Sequence, residues 1–270
     1  MQPENNRMML ENLYRKINRR EYVSPDPLQF LYAYRNVRDR EIVGLVASSL
    51  AYGRVVQILK SVEGIMEVMG PSPYRFLERE THQSLVRKFS GFRHRFADGK
   101  HLSALLSGIK NTIARFGSLN ACFHKGYAEN QDSTIAGMGF FADNLMQGGH
   151  DPGHLVPLPD RGSACKRMNL FLRWMVRKDD VDPGGWKGIP ASGLIVPLDT
   201  HMHRMGIMLG YTDRKQANMI TAMEITDGFR KIMPRDPVRY DFALTRLGIR
   251  NDLKMEDFLK PNLTSDSVAI

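Results

Sequence analysis

The chain has 270 residues, of which 42% are hydrophobic and 25% charged, a balance that is ordinary for a globular protein and excludes a largely disordered one. With 38 lysines and arginines against 29 aspartates and glutamates, the formal net charge is +9. This excess favours polyanionic partners, because cationic side chains release counterions from phosphates. Charge alone does not identify the partner, since many basic proteins bind no nucleic acid.

Cysteine content limits the cofactors that the chain can hold. Cys122 and Cys165 are the only two, they lie far apart and they form no CxxC pair. Neither a four-cysteine zinc site nor an iron–sulfur cluster can therefore be built. Residues 1–6 lack a signal-peptide pattern, and no apolar run reaches about 18 residues. We expect a cytoplasmic protein with reduced thiols and no membrane partner.

Apolar spacing predicts helices along the first half of the chain. The first contains residues 10–17, and the second, residues 41–52, follows Asp39 as its N-cap and ends near Gly53. Further helices are predicted at residues 55–69, 73–80, 83–88, 101–116, 119–126 and 135–146.

The second half begins with a loop at residues 147–160 and a helix at about residues 163–176. Proline and glycine clusters then break the helical spacing over residues 178–193. Three closing helices are predicted. They run from the cap Asp199 to residue 209, from the cap Thr212 to residue 232, and from residue 236 to residue 247. The sequence predicts an all-α fold.

A tight turn at residues 158–167 (LPDRGSACKR) opens into a helix. Unpaired N–H groups at a helix start suit a phosphate oxygen, and Gly162 and Ser163 are placed to supply them. Lys166, predicted one turn into the helix, is a candidate nucleophile. Attack requires the neutral amine, which repulsion from neighbouring arginines favours. Lys166 and Arg167 also fit the solvated face of an ordinary helix.

Asp199 stands in the stretch 196–201 (VPLDTH), before the next predicted helix. As an N-cap it accepts a hydrogen bond from a backbone N–H two or three residues on. The positive end of the helix also keeps its carboxylate ionised, so that it can stabilise positive charge on a sugar. His201 and His203 suggest a metal site, but residues two apart on a helix point to different faces.

These two stretches resemble the helix-hairpin-helix DNA glycosylase superfamily. Its hairpin usually reads Leu-Pro-Gly-Val-Gly-x-Lys, and its later segment reads Val-Pro-Val-Asp-Thr-His-Val-x-Arg. The second match is the more specific. The matching positions are Leu158, Pro159, Gly162 and Lys166 in the hairpin, and Val196, Pro197, Asp199, Thr200, His201 and Arg204 in the later segment.

From about residue 10 to residue 255 the chain is also similar to an uncharacterised bacterial family related to those glycosylases, through residues 92–96, 173–184 and 240–244. The resemblance implies one bilobal unit, residues 1–270, with an interlobe cleft. Residues 40–160 would form one helical lobe, with the hairpin at 158–167. Residues 1–39 and 168–260 would form the second.

Two departures from the superfamily pattern stand out. Lys166 precedes Asp199 by 33 positions, which is longer than usual, and the five residues 162–166 replace the shorter Gly-x-Lys. Archaeal 8-oxoguanine DNA glycosylases are similar in their long separation and altered hairpin, and they offer the nearest mechanistic analogy. The missing cysteines exclude the iron–sulfur branch of the superfamily.

The resemblance implies a bifunctional DNA glycosylase and AP lyase. A damaged nucleotide, 8-oxoguanine by analogy, flips out of double-stranded DNA, Lys166 attacks the sugar C1′, and Asp199 stabilises the cationic sugar. Gly162, Ser163 and Arg167 would contact DNA phosphates. The protein would be a nucleoid-associated monomer without a cofactor. Binding of a monovalent cation at the hairpin is left open.

Four further residues are candidates for contacts with the lesion. Tyr52 and Arg54 fall near where glycosylases of this superfamily approach it, and they equally fit a helix terminus. Trp186, in the loop 178–193, lines a base pocket or covers core. His201 lies close to Asp199 and is a candidate to face the cleft.

Four others are candidate supporting residues. His94 and Arg95 belong to a basic cluster that contacts phosphate or is only a solvated face. Asp179 and Asp180 orient Lys166 or Arg177, or lie in a surface loop.

The sequence is also compatible with two other classes of function. One is a non-catalytic DNA-binding protein that retains the phosphate-binding hairpin. The other is a metal-dependent hydrolase that uses His201 and His203. The motif matches favour the glycosylase over both.

Overall fold

The structure, a computed structural model, describes residues 3–249 and the side chains of residues 6–247. Residues 250–260 of the predicted second lobe lie outside this range. Most of the described chain is helical, which confirms the all-α prediction. Its one two-stranded sheet pairs β1 (Arg93–His94) with β2 (Ala97–Asp98) antiparallel. No helix among the described residues is long and apolar enough to cross a membrane.

The helices agree closely with the predicted pattern in the centre of the chain, where residues 55–69 form a helix with the predicted bounds. Short 3-10 turns at Pro27–Ala33 and Pro159–Arg161 add to them. The helices are α1 (Pro3–Ile17), α2 (Val37–Ser49), α3 (Val55–Met69), α4 (Pro73–Arg79), α5 (His82–Lys88), α6 (Gly99–Phe116), α7 (Leu119–Ala128), α8 (Thr134–Met146), α9 (Lys166–Val176), α10 (Thr200–Met208), α11 (Met219–Ile232) and α12 (Asp241–Ile249).

Two predicted N-caps are wrong. Helix α2 begins earlier, behind Asn36, while the carboxylate of Asp39 accepts a hydrogen bond from the backbone N–H of Tyr74 at 2.8 Å. Helix α11 begins behind Asn218, not Thr212, whose hydroxyl donates to Glu224 at 2.5 Å. In both cases the predicted cap residue is of a suitable type but is engaged by a different part of the chain.

Packing against α2 joins α9 to the core of the protein. Helix α9 lies against α2, helices α5 to α8 pack on one another, and α12 contacts both α1 and α10. The buried apolar side chains form one continuous cluster that includes Phe141, Phe171 and Phe229. The first turn of α9 is therefore held by core packing as well as by its own hydrogen bonds.

A close helix contact inside this core gives a stability prediction. Gly108 of α6 lies against α8 so tightly that an added Cβ would stand 2.0 Å from the backbone oxygen of Leu145. We expect Gly108→Ala to destabilise the protein by about 1–3 kcal/mol, because backbone cannot yield like a side chain. Gly139→Ala on α8 is the control, since nothing lies within 4 Å of its Cβ position.

In a helix interior, alanine is favoured over glycine by up to about 1 kcal/mol. Gly139→Ala should therefore be neutral or stabilising in urea unfolding followed by circular dichroism. Equal free energies of unfolding for the two variants would contradict the close contact between α6 and α8.

Candidate active site

A cavity of about 260 Å³ lies beside the start of α9. Its walls come from the segment after α2, from α3, α9 and α12, from the turn at 25–27 and from the residues that precede α10. Part of the lining is apolar and part carries ionisable groups, a combination that suits an organic ligand with polar edges. The apolar lining includes Pro25, Pro27, Val55, Ile58, Leu170, Trp174 and Pro197.

Lys166 and Asp199 both line this cavity and contact each other. The Nζ of Lys166 lies 3.7 Å from Oδ2 of Asp199, and the side chains are 33% and 25% exposed. The other oxygen, Oδ1, accepts a hydrogen bond from the backbone N–H of Met202 at 2.9 Å, so Asp199 is the N-cap of α10, as predicted. One carboxylate oxygen thus caps a helix while the second faces the lysine amine.

The backbone of the hairpin positions Lys166 at the start of α9. After the turn Pro159–Arg161, Gly162 and Cys165 take left-handed conformations with φ of 72° and 46°. Gly162 and Ser163 are exposed, and Ser163 Oγ accepts a hydrogen bond from the N–H of Cys165 at 3.1 Å. Helix α9 starts at Lys166 itself, not one turn earlier as predicted.

The first N–H groups of α9 have no cap from any side chain that the structure describes. Such groups are available donors at the positive end of a helix. They follow directly on the exposed Gly162 and Ser163. This geometry is compatible with the predicted phosphate contact at the hairpin.

The polar part of the lining contains ionisable residues that were not predicted. Arg173 of α9 pairs with Asp241 of α12, and Nη2 of Arg246 lies 2.5 Å from Oδ2 of Asp26. Burial raises the pKa of Asp241 to about 6, against the lowering effect of Arg173. Within the described part of the chain, Trp174 Nε1, Asp241 Oδ1 and Arg246 Nε have no hydrogen-bond partner.

A charged residue inside an apolar helical run is the signal that would have identified this lining. Arg173 interrupts the apolar run 170–176, and Asp241 interrupts the run 240–244. Burying a charge without a partner is costly, so charged residues in such runs are paired or belong to a site. The sequence pattern does not identify which partner each one takes.

Arg167 does not present a free guanidinium for phosphate, and that prediction is wrong. Its Nη1 donates to the carbonyl of Ser49 at 2.7 Å, and its Nη2 donates to the carbonyl of His154. The guanidinium carbon also lies 5.0 Å from the ring centroid of Tyr52. Because α9 packs on α2, this arginine points inward and joins the end of α2 to the loop before the hairpin.

Of the two predicted lesion contacts after α2, Tyr52 belongs to the cavity lining and Arg54 does not. Arg54 is exposed at the N-cap position of α3, next to the lining residue Val55. The Tyr52 hydroxyl donates to the carbonyl of His94 at 3.0 Å and lies 2.8 Å from Nε2 of His154. The cavity wall is therefore hydrogen-bonded to the β1–β2 sheet.

His94 is buried and does not contact phosphate, which corrects a second prediction. Its Nδ1 lies 2.9 Å from Oγ of Ser61, and its Nε2 lies 3.1 Å from the carbonyl oxygen of Tyr52. Burial lowers the pKa of His94, which favours the neutral ring. His94 anchors β1, whereas its neighbour Arg95 is exposed.

Trp186 belongs to the core and not to the cavity lining. It is 6% exposed, its ring centroid lies 4.9 Å from that of Phe171, and its Nε1 donates to Oε2 of Glu41 at 2.9 Å. Of the two predicted roles, covering core is therefore the one observed, and the pocket role is wrong. The buried carboxylate of Glu41 supplies the hydrogen-bond acceptor for the indole N–H in the core.

Asp179 and Asp180 differ in their surroundings. Asp179 Oδ2 lies 2.8 Å from Nη2 of Arg177 and accepts a hydrogen bond from the Tyr14 hydroxyl at 3.0 Å. The predicted orientation of Arg177 by Asp179 is thus observed, and the alternative of orienting Lys166 is not. Asp180 is exposed and has no ion pair or hydrogen bond within the described residues.

The two histidines of α10, His201 and His203, do not form a common site. His201 is half-buried and lies outside the cavity lining, so it does not face this cavity as predicted. His203 Nε2 hydrogen-bonds to the carbonyl oxygen of Arg214 at 2.7 Å. Across residues 6–247, no group of three or more histidine, cysteine, aspartate or glutamate side chains is placed to hold a metal ion.

The chemistry open to the cavity follows from Lys166 and Asp199. A primary amine can form a covalent bond to an electrophilic carbon, and an adjacent carboxylate can stabilise positive charge that develops there.

Residues 26–250 match the family described as protein of unknown function (DUF2400), and the chain belongs to it. No curated protein and no solved structure matches the chain. The relation to glycosylases therefore stays a prediction from the motifs.

Proposed function

We propose that this protein is a DNA glycosylase and AP lyase that removes a damaged base through a lysine Schiff base. The observation that carries the proposal is the 3.7 Å approach of Lys166 Nζ to Asp199 Oδ2 inside one cavity. The two residues come from the two motifs that resemble the helix-hairpin-helix glycosylases. Their contact across 33 positions of sequence supports treating them as one active site.

In the proposed reaction, Lys166 Nζ forms a bond to the sugar C1′ while the bond from C1′ to the base breaks. The base leaves with the electron pair and takes up a proton, and Asp199 stabilises the cationic character of the sugar. The C1′–O4′ bond then breaks, O4′ takes up a proton that the nitrogen has given up, and the nitrogen keeps one proton in the protonated Schiff base. Loss of a proton from C2′ then expels the 3′ phosphate and cleaves the strand.

The cavity lining supports a flipped base as the ligand. An extruded base is held by apolar or aromatic contacts together with hydrogen bonds to its edge. Leu170 and Val55, both half-buried, supply apolar surface, and the side chains of Lys166 and Asp199 supply polar groups. 8-Oxoguanine is the first lesion to test, by analogy with the archaeal enzymes.

DNA binding in this proposal depends on the start of α9. The uncapped N–H groups there, with the exposed Gly162 and Ser163, would hold a phosphate of double-stranded DNA. In this proposal the cavity is the cleft between the two predicted lobes, because residues 51–58 of the lobe 40–160 line it together with residues 25–27, 170–174 and 241–246 of the second lobe. We propose a cytoplasmic, nucleoid-associated monomer. Whether a monovalent cation binds at the hairpin is left open in this proposal.

Borohydride trapping tests the proposal. The purified protein is incubated with duplexes that carry 8-oxoguanine, an abasic site or neither, and is then reduced, digested and mapped by mass spectrometry. We expect an adduct on the peptide that contains Lys166 and none on the exposed Lys178, with the undamaged duplex left untouched. Adducts spread over surface lysines, or no adduct with either substrate, would contradict the mechanism and favour the non-catalytic DNA-binding alternative.

A further inference from the structure

The hairpin between β1 and β2 exposes an aromatic side chain. Phe96 at its tip is 74% exposed, and Val56 in the first turn of α3 is 73% exposed, the two largest values among the exposed large hydrophobic side chains of the described chain. Leaving a phenylalanine in water forgoes the burial energy that its ring would otherwise provide. Its position therefore suggests contact with a partner.

The hairpin holds Phe96 on a fixed support. On one side His94 is buried and hydrogen-bonded to Ser61 and Tyr52. On the other, Asp98 caps α6 by accepting hydrogen bonds from the N–H groups of Lys100 and His101 at 3.0 and 3.1 Å. Both ends of the four-residue turn are thus tied to helices, so the exposed ring is presented by rigid backbone.

This tip stands beside the proposed active site. Gly53 lines the cavity, and a Cβ added to it would lie 2.8 Å from Cδ of Arg95. The ring of Phe96 lies 6.3 Å from that of His154, whose Nε2 is 2.8 Å from the hydroxyl of the lining residue Tyr52. The tip is therefore linked by direct contacts to the lining residues Gly53 and Tyr52.

The surroundings of Phe96 are cationic. Arg54, Arg93, Arg95 and Lys100 are all exposed, and none of them forms an ion pair within the described residues. The carboxylate of Asp98 lies in the same hairpin, where its Oδ1 caps α6 and lies 2.7 Å from Nδ1 of His101. Aromatic side chains next to unpaired cations suit a nucleic acid, because its bases stack on rings while its phosphates attract the charges.

We infer that Phe96 inserts into the base stack of duplex DNA at the position that the flipped nucleotide leaves, with Arg54 and Arg95 on the flanking phosphates. The inference rests on the proposed function, since it requires a base to be extruded into the neighbouring cavity. Wedging an apolar side chain into a base step offsets part of the unstacking. Phe96 then determines preference for damaged over intact duplex, while the arginines contribute affinity for both.

The test measures Kd for an intact duplex and for the same duplex with a tetrahydrofuran abasic analogue. Because a base stacks on an aromatic ring and not on alanine, Phe96→Ala should lower the preference for the abasic duplex by roughly 10-fold. Phe96→Trp should retain the preference. Ile220→Ala is the matched control, because Ile220 is 55% exposed on α11, outside the cavity lining.

The outcomes separate the inference from the proposed function. If the wild type traps on abasic DNA and Phe96→Ala keeps the full preference, the wedge is wrong, the glycosylase proposal stands, and Phe96 serves another partner, such as a protein. If the wild type neither traps nor prefers the abasic duplex, both fail together. Loss of preference in Phe96→Ala with retention in Phe96→Trp supports the wedge.

Discussion

Arg177→Met is expected to destabilise the protein by about 3–5 kcal/mol, because it removes the cation from a buried cluster of carboxylates. Arg177 is 4% exposed and contacts Asp182, Asp179 and Asp236. Burial disfavours its charged form, but these three carboxylates outweigh burial and raise the pKa of Arg177. Without this guanidinium, Asp179 and Asp236 lose their ion-pair partner, and Asp182 keeps Arg173, whose Nε lies 3.2 Å from its Oδ1. Urea unfolding measures the loss.

The same variant should respond to pH in a defined direction. Burial already raises the pKa values of Asp182 and Asp236, although Arg177 lowers them. Removing Arg177 raises both further above their unfolded values, so the folded variant binds protons that the unfolded chain does not. Its deficit should be fully present above the folded-state pKa values of these aspartates and shrink as the pH falls through them.

Arg35→Met is the control, since Arg35 is exposed and its side chain has no ion pair within the described part of the chain. Its effect should stay within about 0.5 kcal/mol at either pH. A deficit in Arg177→Met that does not change with pH would mean that lost packing, and not uncompensated carboxylates, is the cause.

Local signals predicted the helices well wherever apolar spacing and a terminator act together. Helix α3 has the predicted bounds because its apolar face is continuous and Gly70 ends it in a left-handed turn. The N-caps of α2 and α11 were wrong because Asp39 and Thr212 bond to distant segments, which sequence spacing does not reveal. Cap residue types are common, and only tertiary contacts decide between neighbours.

In the candidate site, too, local patterns predicted some residues correctly, whereas residues engaged in tertiary contacts were misassigned. The motifs predicted Lys166 and Asp199 as a pair, and the structure brings them within 3.7 Å of each other at two helix starts. Arg167, His94 and Trp186 were misassigned because their polar atoms turn inward to Ser49, Ser61 and Glu41. A sequence shows that such a residue is polar, whereas its partner is set by packing of elements far apart in the chain.

The largest expected effects on activity are those of Lys166→Gln and Asp199→Asn. Lys166→Gln removes the proposed nucleophile, so we expect no borohydride adduct, while duplex binding through the hairpin backbone persists. Asp199→Asn removes the negative charge that faces Lys166, and loss of one stabilising group of this kind costs about 10²–10³-fold in rate. Single-turnover base excision and duplex binding, measured side by side, test both.

Asp199→Asn also separates catalysis from helix capping. Asparagine caps a helix about as well as aspartate, so α10 keeps its bond to Met202 N–H and the free energy of unfolding should be unchanged. Asn36→Asp at the start of α2 exchanges the same two residue types away from the cavity and should alter neither quantity. If Asp199 were only a cap, Asp199→Asn would keep full activity. A slow but stable variant would instead assign the second carboxylate oxygen, the one that faces the lysine, to the chemistry.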